Sequence, residues 1–184
     1  MDRWSKLYRK LQAAESEREA RERDAAEKLF AFDHWCRTAT EAALQAVVDG
    51  LRSRGAEFTA HTGLAVSVDA PTRPPVQMGQ GGPSMSFVRV ALGNARVDLY
   101  SHREPGALPI LHLVRGHVEA QTHAGRHAEV ILSVPLCVVV QRPDDGWELR
   151  RTGSSGQVDV NAPMMDVDEI VYDLFETLVD LRAR

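Results

Sequence analysis

The residues in this chain whose types and spacing could hold a metal ion are His112, His117 and Glu119. If residues 110–115 and 117–123 are paired strands turning at Arg115 and Gly116, His112 stands opposite Glu119. His117 is then the diagonal neighbour, so three ligands of the kind that bind zinc would converge from one hairpin. His123 and His127 would face each other across the next turn. Against a metal site stands a simpler account: polar residues on the wet face of a sheet need no ligand to explain them, and no close-spaced metal signature accompanies these three. The sequence calls for no cofactor.

Other chemistries find less support. No Gly-x-Ser-x-Gly elbow is present, and Cys36 and Cys137 sit in apolar surroundings that raise a thiol's pKa and blunt it as a nucleophile. Gly79, Gly81 and Gly82 resemble a phosphate cradle only superficially, since no helix start and no P-loop lysine follow them. The residues point away from an enzyme.

A different pattern opens the chain. Trp4, Leu7, Tyr8 and Leu11 recur at helical spacing on one face, and Arg3, Lys6, Arg9 and Lys10 surround them. Aromatic anchors with a basic rim suit recognition of a partner by a helix laid in a groove. The same rim would suit an anionic membrane surface. The simplest partner is a second copy: a heptad reading from Trp4 places Tyr8, Leu11, Ala25, Leu29, Phe32 and Cys36 on the seam, interrupted by Glu15, Arg18 and Glu22.

Composition narrows the classes further. With 184 residues, the chain is long enough for one domain with a proper core and short for two. The 26 acidic and 22 basic side chains leave a formal charge of −4, which argues against coating a nucleic acid backbone. No apolar run reaches the ~18 residues of a membrane span, the N-terminus is too charged for a signal peptide, and two cysteines in apolar settings fit a reducing compartment. A cytoplasmic protein is expected. Lysine occurs only at positions 6, 10 and 28 while alanine is abundant, a bias typical of GC-rich bacteria.

The elements that must position these residues follow in order. Residues 4–54 contain no proline and only Gly50, which predicts a long helix or two in line. A capping box formed by Thr38 and Glu41 would start a second helix after a break near Asp33. Within it, residues 15–28 are nearly all charge and alanine, with Glu17 and Arg21, Arg18 and Glu22, Glu19 and Arg23, and Asp24 and Lys28 each four apart. Residues 1–28 therefore read as a projecting charged arm with an aromatic and basic tip, and residues 29–184 as a single α+β domain. Leu29, Phe32, Cys36, Ala39, Ala43 and Val47 begin the core stripe, and Gly55 ends the helix.

Alternation from Phe58 to Val68 predicts a first strand, and the prolines and glycines of residues 69–86 a long mobile loop. Residues 87–92 and 95–100, joined by Gly93 and Asn94 in a type II′ turn, form a hairpin whose register can be checked against itself. Val90 meets Val97, Val88 meets Leu99, Arg89 meets Asp98 and Phe87 meets Tyr100; a slip of one residue would spoil every pair. Further strands cover residues 110–115, 117–123, 127–134, 136–142 and 147–152, with a reversal at 124–126, a corner at Pro135 and a loop at 153–156. Asp166 and Glu169 cap a final helix whose inner face is Val167, Ile170, Val171, Leu174, Phe175, Leu178 and Leu181.

The expected fold is α+β: a long N-terminal helix, a curved antiparallel meander of about seven or eight strands, and a C-terminal helix, with both helices on the apolar face of the sheet. That order is shared by many unrelated proteins and names no family. The function expected is a non-enzymatic adaptor, homodimeric, contacting itself or another protein through Trp4, Leu7, Tyr8 and Leu11 as anchors and Arg3, Lys6, Arg9 and Lys10 as steering charges. The alternative is an apolar-ligand domain with a cavity between sheet and helices, where Thr62 and Thr122 offer the inward hydroxyls. An enzyme using a metal at His112, His117 and Glu119 ranks behind both.

Overall fold

The computed structural model describes residues 3–72, 87–104, 106–121, 127–144, 146–152 and 161–183. The Pro/Gly-rich stretch from residue 73 to 86, Thr122, His123 with its expected pairing to His127, the reversal at 124–126 and the loop at 153–156 lie outside them. The element order is α1 (Arg3–Thr62), β1 (Val66–Thr72), β2 (Phe87–Leu92), β3 (Ala95–His102), β4 (Ile110–Gln121), β5 (His127–Gln141), β6 (Trp147–Arg151), β7 (Met164–Met165) and α2 (Val167–Arg182). The seven strands form one antiparallel sheet in chain order, curved into a half-barrel, with α2 and the part of α1 from Thr38 onward on its apolar face. The chain divides into two compact units, residues 1–37 and 38–184.

The first unit is helical from Arg3 onward, and residues 15–28 hold it by ion pairs in place of a core. Arg21 reaches Glu17 at 3.4 Å, Arg18 reaches Glu22 at 3.4 Å and Lys28 reaches Asp24 at 2.7 Å, all exposed and four apart. Arg23 instead donates to the backbone carbonyl of Glu19. Each such pair is worth only ~0.2–0.5 kcal/mol, so the series matters more than any member. Leu29, expected as the first core position, is 53% exposed, because a lone helix has no second layer to bury it. The helix runs through Asp33 without a break, and Thr38 and Glu41 lie inside it, where no second helix starts.

In the second unit α1 supplies Ala39, Ala43, Leu44, Val47, Val48 and Leu51 to the core, all buried. Gly55 does not end the helix. Its absent side chain is what lets the helix come close to its neighbours: a Cβ there would stand 3.3 Å from Val66 Cγ1 and 3.8 Å from Phe175 Cζ. The stop is Gly63, at φ +71°, with its N–H on the Thr59 carbonyl. Phe58 to Thr62 are thus helical, not the start of a strand; their alternation is too short to distinguish the two periods, and the Phe58 ring packs on Phe175 at 5.5 Å. Thr62 is correspondingly exposed, bonding the Phe58 carbonyl, and offers no inward hydroxyl.

Gly50 plays the same part where the two helices meet. A Cβ at this position would lie 3.0 Å from Val171 Cγ2 and 3.6 Å from Val167 Cγ1. Gly50→Leu is expected to lower stability by about 1–3 kcal/mol, despite leucine's better helix propensity, since Val171 must leave its place. Urea denaturation checks it.

The hairpin of β2 and β3 has the expected register, Val90 on Val97, Val88 on Leu99, Arg89 on Asp98 and Phe87 on Tyr100, with Gly93 at φ +62°. The Arg89 guanidinium grips Asp98 with two bonds, 2.8 and 2.9 Å. Further along, two expected breaks are bulges inside longer strands. β4 passes straight through Arg115 and Gly116, which together face Leu132, because the register steps from Val114 on Ser133 to His117 on Ile131. β5 likewise absorbs Pro135: His112 pairs with Pro135 and Leu111 with Cys137, leaving Leu136 as the extra residue. Glycine and proline therefore mark bulges here, where local reading assigns them turns.

β1 keeps Pro71 at the sheet's edge, where a missing N–H costs no ladder bond. At the far end, the short strand β7 closes the sheet and α2 starts with the expected capping box: Asp166 accepts from Asp168 N, and Glu169 Oε2 accepts from Asp166 N at 3.0 Å. α2 lies against β2 and β3 and buries Ile170, Val171, Leu174, Thr177 and Leu178.

Candidate functional site

Three places hold the residues that could carry a function. The first is the start of α1. Trp4, Leu7, Tyr8 and Leu11 lie 62%, 54%, 62% and 56% exposed. Arg3, Lys6, Arg9 and Lys10 are exposed around them, and none of the four forms an ion pair among the described residues. Leu29 follows Leu11 by 18 residues, five turns at 3.6 per turn, so it prolongs the same face. Soluble surfaces do carry single apolar side chains. Four large ones within two turns on one face, ringed by cations, make a patch of the kind that marks a contact.

The second is the sheet face opposite the helices. His112 stands beside Tyr100 in register, and their rings stack at 5.0 Å, 20° between planes. His102 meets His112 edge-on at 5.9 Å. Both ring nitrogens of His112 are buried and lack a hydrogen-bond partner among the described residues. Burial, and secondarily the charge of His102, pushes its pKa below the ordinary 6.5, so the imidazole is held neutral. This face is drier than simple alternation implies, since Asp98 and Val138 are also buried.

The expected convergence of His112 with Glu119 is not there. Both lie on β4, seven positions apart, which is ~20 Å at the rise of a strand. His117 pairs with Ile131 and Glu119 with Glu129. Among the described residues no three His, Cys, Asp or Glu side chains are grouped to hold a metal ion. The two thiols are buried, and burial pushes Cys137 up to about 12, which leaves it protonated and inert at neutral pH.

The depressed pKa of His112 carries a consequence for stability. Well above the ordinary value of 6.5 neither the folded nor the unfolded chain protonates this residue, and its contribution is complete. As pH falls, the unfolded chain takes up a proton that the folded chain resists, and stability declines until the native imidazole also titrates. His112→Phe keeps the stack with Tyr100 and removes the titration. Unfolding midpoints compared between pH 7.5 and 5.5 should therefore fall more steeply in the wild type than in the variant.

The third place lies wholly in the second unit and was missed by sequence reasoning. Between the end of α1 and α2 runs a groove of about 730 Å³. Phe58, Val171, Tyr172, Phe175 and Val179 give it an apolar floor, and Glu57, Asp168, Glu176 and Asp180 an acidic rim. Arg54 bridges Glu57 at 3.0 Å and Asp168 at 3.2 Å, and these bonds, that to Glu57 foremost, raise its pKa. Glu176 and Asp180 have no ion pair among the described residues. A signal existed in the sequence: Tyr172, Phe175 and Val179 fall at i, i+3 and i+7, a second apolar stripe beside the core stripe. Tyr172 is mostly exposed, and Val179 a little under half.

Between the sheet and the helices the core side chains are fully enclosed, Leu44, Leu51, Leu99, Leu111, Leu174 and Leu178 among them. No helix among the described residues is long and apolar enough to cross a membrane. Comparison with protein-family models, with curated proteins and with solved structures gave no match.

Proposed function

We propose that the protein is a non-enzymatic interaction module that forms a homodimer and contacts its partner through the start of α1. One observation supports this most: Trp4, Leu7, Tyr8 and Leu11 stand more than half exposed on one helix face, ringed by four cations without ion pairs among the described residues. Tryptophan and tyrosine supply large contact area with few rotatable bonds, which is why they dominate binding energy at interfaces. The basic rim speeds encounter and selects an acidic partner. The ion-paired stretch from Glu15 to Lys28 keeps the helix formed without a core, so the anchors are held in one arrangement before binding and little ordering entropy opposes it. Two buried thiols, Cys36 and Cys137, suit a reducing cytoplasm.

Deleting residues 1–14 tests this reading. Sedimentation velocity should show the full chain associating with rising concentration and the shortened chain remaining a monomer with an unchanged far-ultraviolet spectrum per folded residue. Equal association of the two would end the proposal.

A further inference from the structure

We infer that the groove between the end of α1 and α2 is the docking site for the N-terminal helix of a second copy of this chain. The inference rests on the proposed role of that helix and adds the surface that receives it.

Charge and shape support the pairing from both sides. Residues 3–11 hold four cations and no anion in a chain whose net charge is −4, so the remainder carries −8. Part of that excess is gathered at the groove. Of the four acids on its rim, Glu57 and Asp168 are already engaged by Arg54, while Glu176 and Asp180, one turn apart on α2, are exposed and form no ion pair among the described residues; Arg54 and His61 are the basic side chains of the lining, so acids outnumber them. Lys6 and Lys10, likewise one turn apart, present a matching pair of charges.

The floor matches as well. The tilted pair of Phe58 and Phe175, with exposed Tyr172 on one side and Val179 beyond it, forms an apolar strip along α2. A helix that presents Trp4, Leu7, Tyr8 and Leu11 over two turns would cover such a strip in the usual manner of a helix laid in a groove. The occupant committed to is thus a basic, aromatic helix, and this chain carries one.

A charge swap in the full-length chain decides the matter. Glu176→Lys with Asp180→Lys places two cations on the groove's rim, and Lys6→Glu with Lys10→Glu places two carboxylates on the tip and cancels its net charge, since Arg3 and Arg9 remain. Each variant alone sets like charge against like, and its self-association should weaken by roughly tenfold or more. In an equimolar mixture the exchanged positions become complementary in both contacts, the reversed tip of one copy facing the reversed groove of the other and the unaltered tip facing the unaltered groove, so association should recover most of the loss.

Circular dichroism and thermal melting verify that both exposed pairs leave the fold intact. As a milder second variant, Glu176→Gln with Asp180→Asn should weaken association and flatten its dependence on salt. If the groove variants associate as the wild type does while the tip variant fails to, or if mixing restores nothing, the groove is not the receptor and the role of the tip stands. If neither surface alters association, both readings fall.

Discussion

Leu174→Ala is expected to lower the unfolding free energy by about 2–5 kcal/mol, the range for emptying a fully enclosed leucine site. Leu174 has no exposed surface and sits midway along α2, on the face that meets β2 and β3. Neighbours on both sides along the helix, Ile170, Val171 and Leu178, are themselves buried and can relax little into the space. Domains are stable by only ~5–15 kcal/mol, so one such change removes a large share. The comparison is Val179→Ala, five residues on and 44% exposed, which should stay within about 0.5 kcal/mol. Urea denaturation should show a large drop in midpoint for Leu174→Ala, a negligible one for Val179→Ala, and the same slope for both.

The second large effect concerns binding. Trp4→Ala and Tyr8→Ala should each weaken self-association by about 2 kcal/mol, near thirtyfold, as removal of a central aromatic anchor does at other interfaces. At concentrations where wild type and variants are all monomeric, neither should move the thermal midpoint appreciably, because both side chains are more than 60% exposed and support no core. Lys10→Ala, by contrast, should act mainly on the rate of association and on its sensitivity to salt, in keeping with a charge at the rim. Sedimentation equilibrium for affinity, with stopped-flow mixing for the rate, separates the two kinds of contribution.

How far the sequence discloses such a structure differs from element to element. The hairpin of β2 and β3 could be read in full because three constraints agree: a glycine at the turn, apolar alternation, and the opposition of Arg89 to Asp98. The cap at Asp166 could be read for a similar reason, since both halves of the box lie within four residues. Bulges could not. Gly116 and Pro135 are locally indistinguishable from turn and corner residues, and only pairing with a distant strand shows that the ladder continues past them. That one misplacement turned a 12-residue strand into a hairpin and set His112 against Glu119.

At the other end of α1, Gly55 resembled a stop although Gly63 is the residue with the left-handed backbone. What keeps Gly55 in the helix is the approach of Val66 and Phe175, partners 11 and 120 positions away. The groove escaped notice on the same ground. Phe58 and Phe175 form its floor only because two helices separated by the entire sheet come together, and no local pattern contains that fact. The aromatic and basic tip needed no such knowledge, since spacing within two turns of one helix defines it.

The proposed function requires the tip of α1 to touch another molecule. Its most direct test replaces Tyr8 with a photo-crosslinking phenylalanine analogue in protein prepared in light and heavy isotopic forms, mixed and irradiated. Mass spectrometry of the crosslinked peptides should find pairs joining a light tip to a heavy chain and the reverse. Crosslinks confined to peptides of one isotopic form would place the tip on its own molecule and contradict the claim.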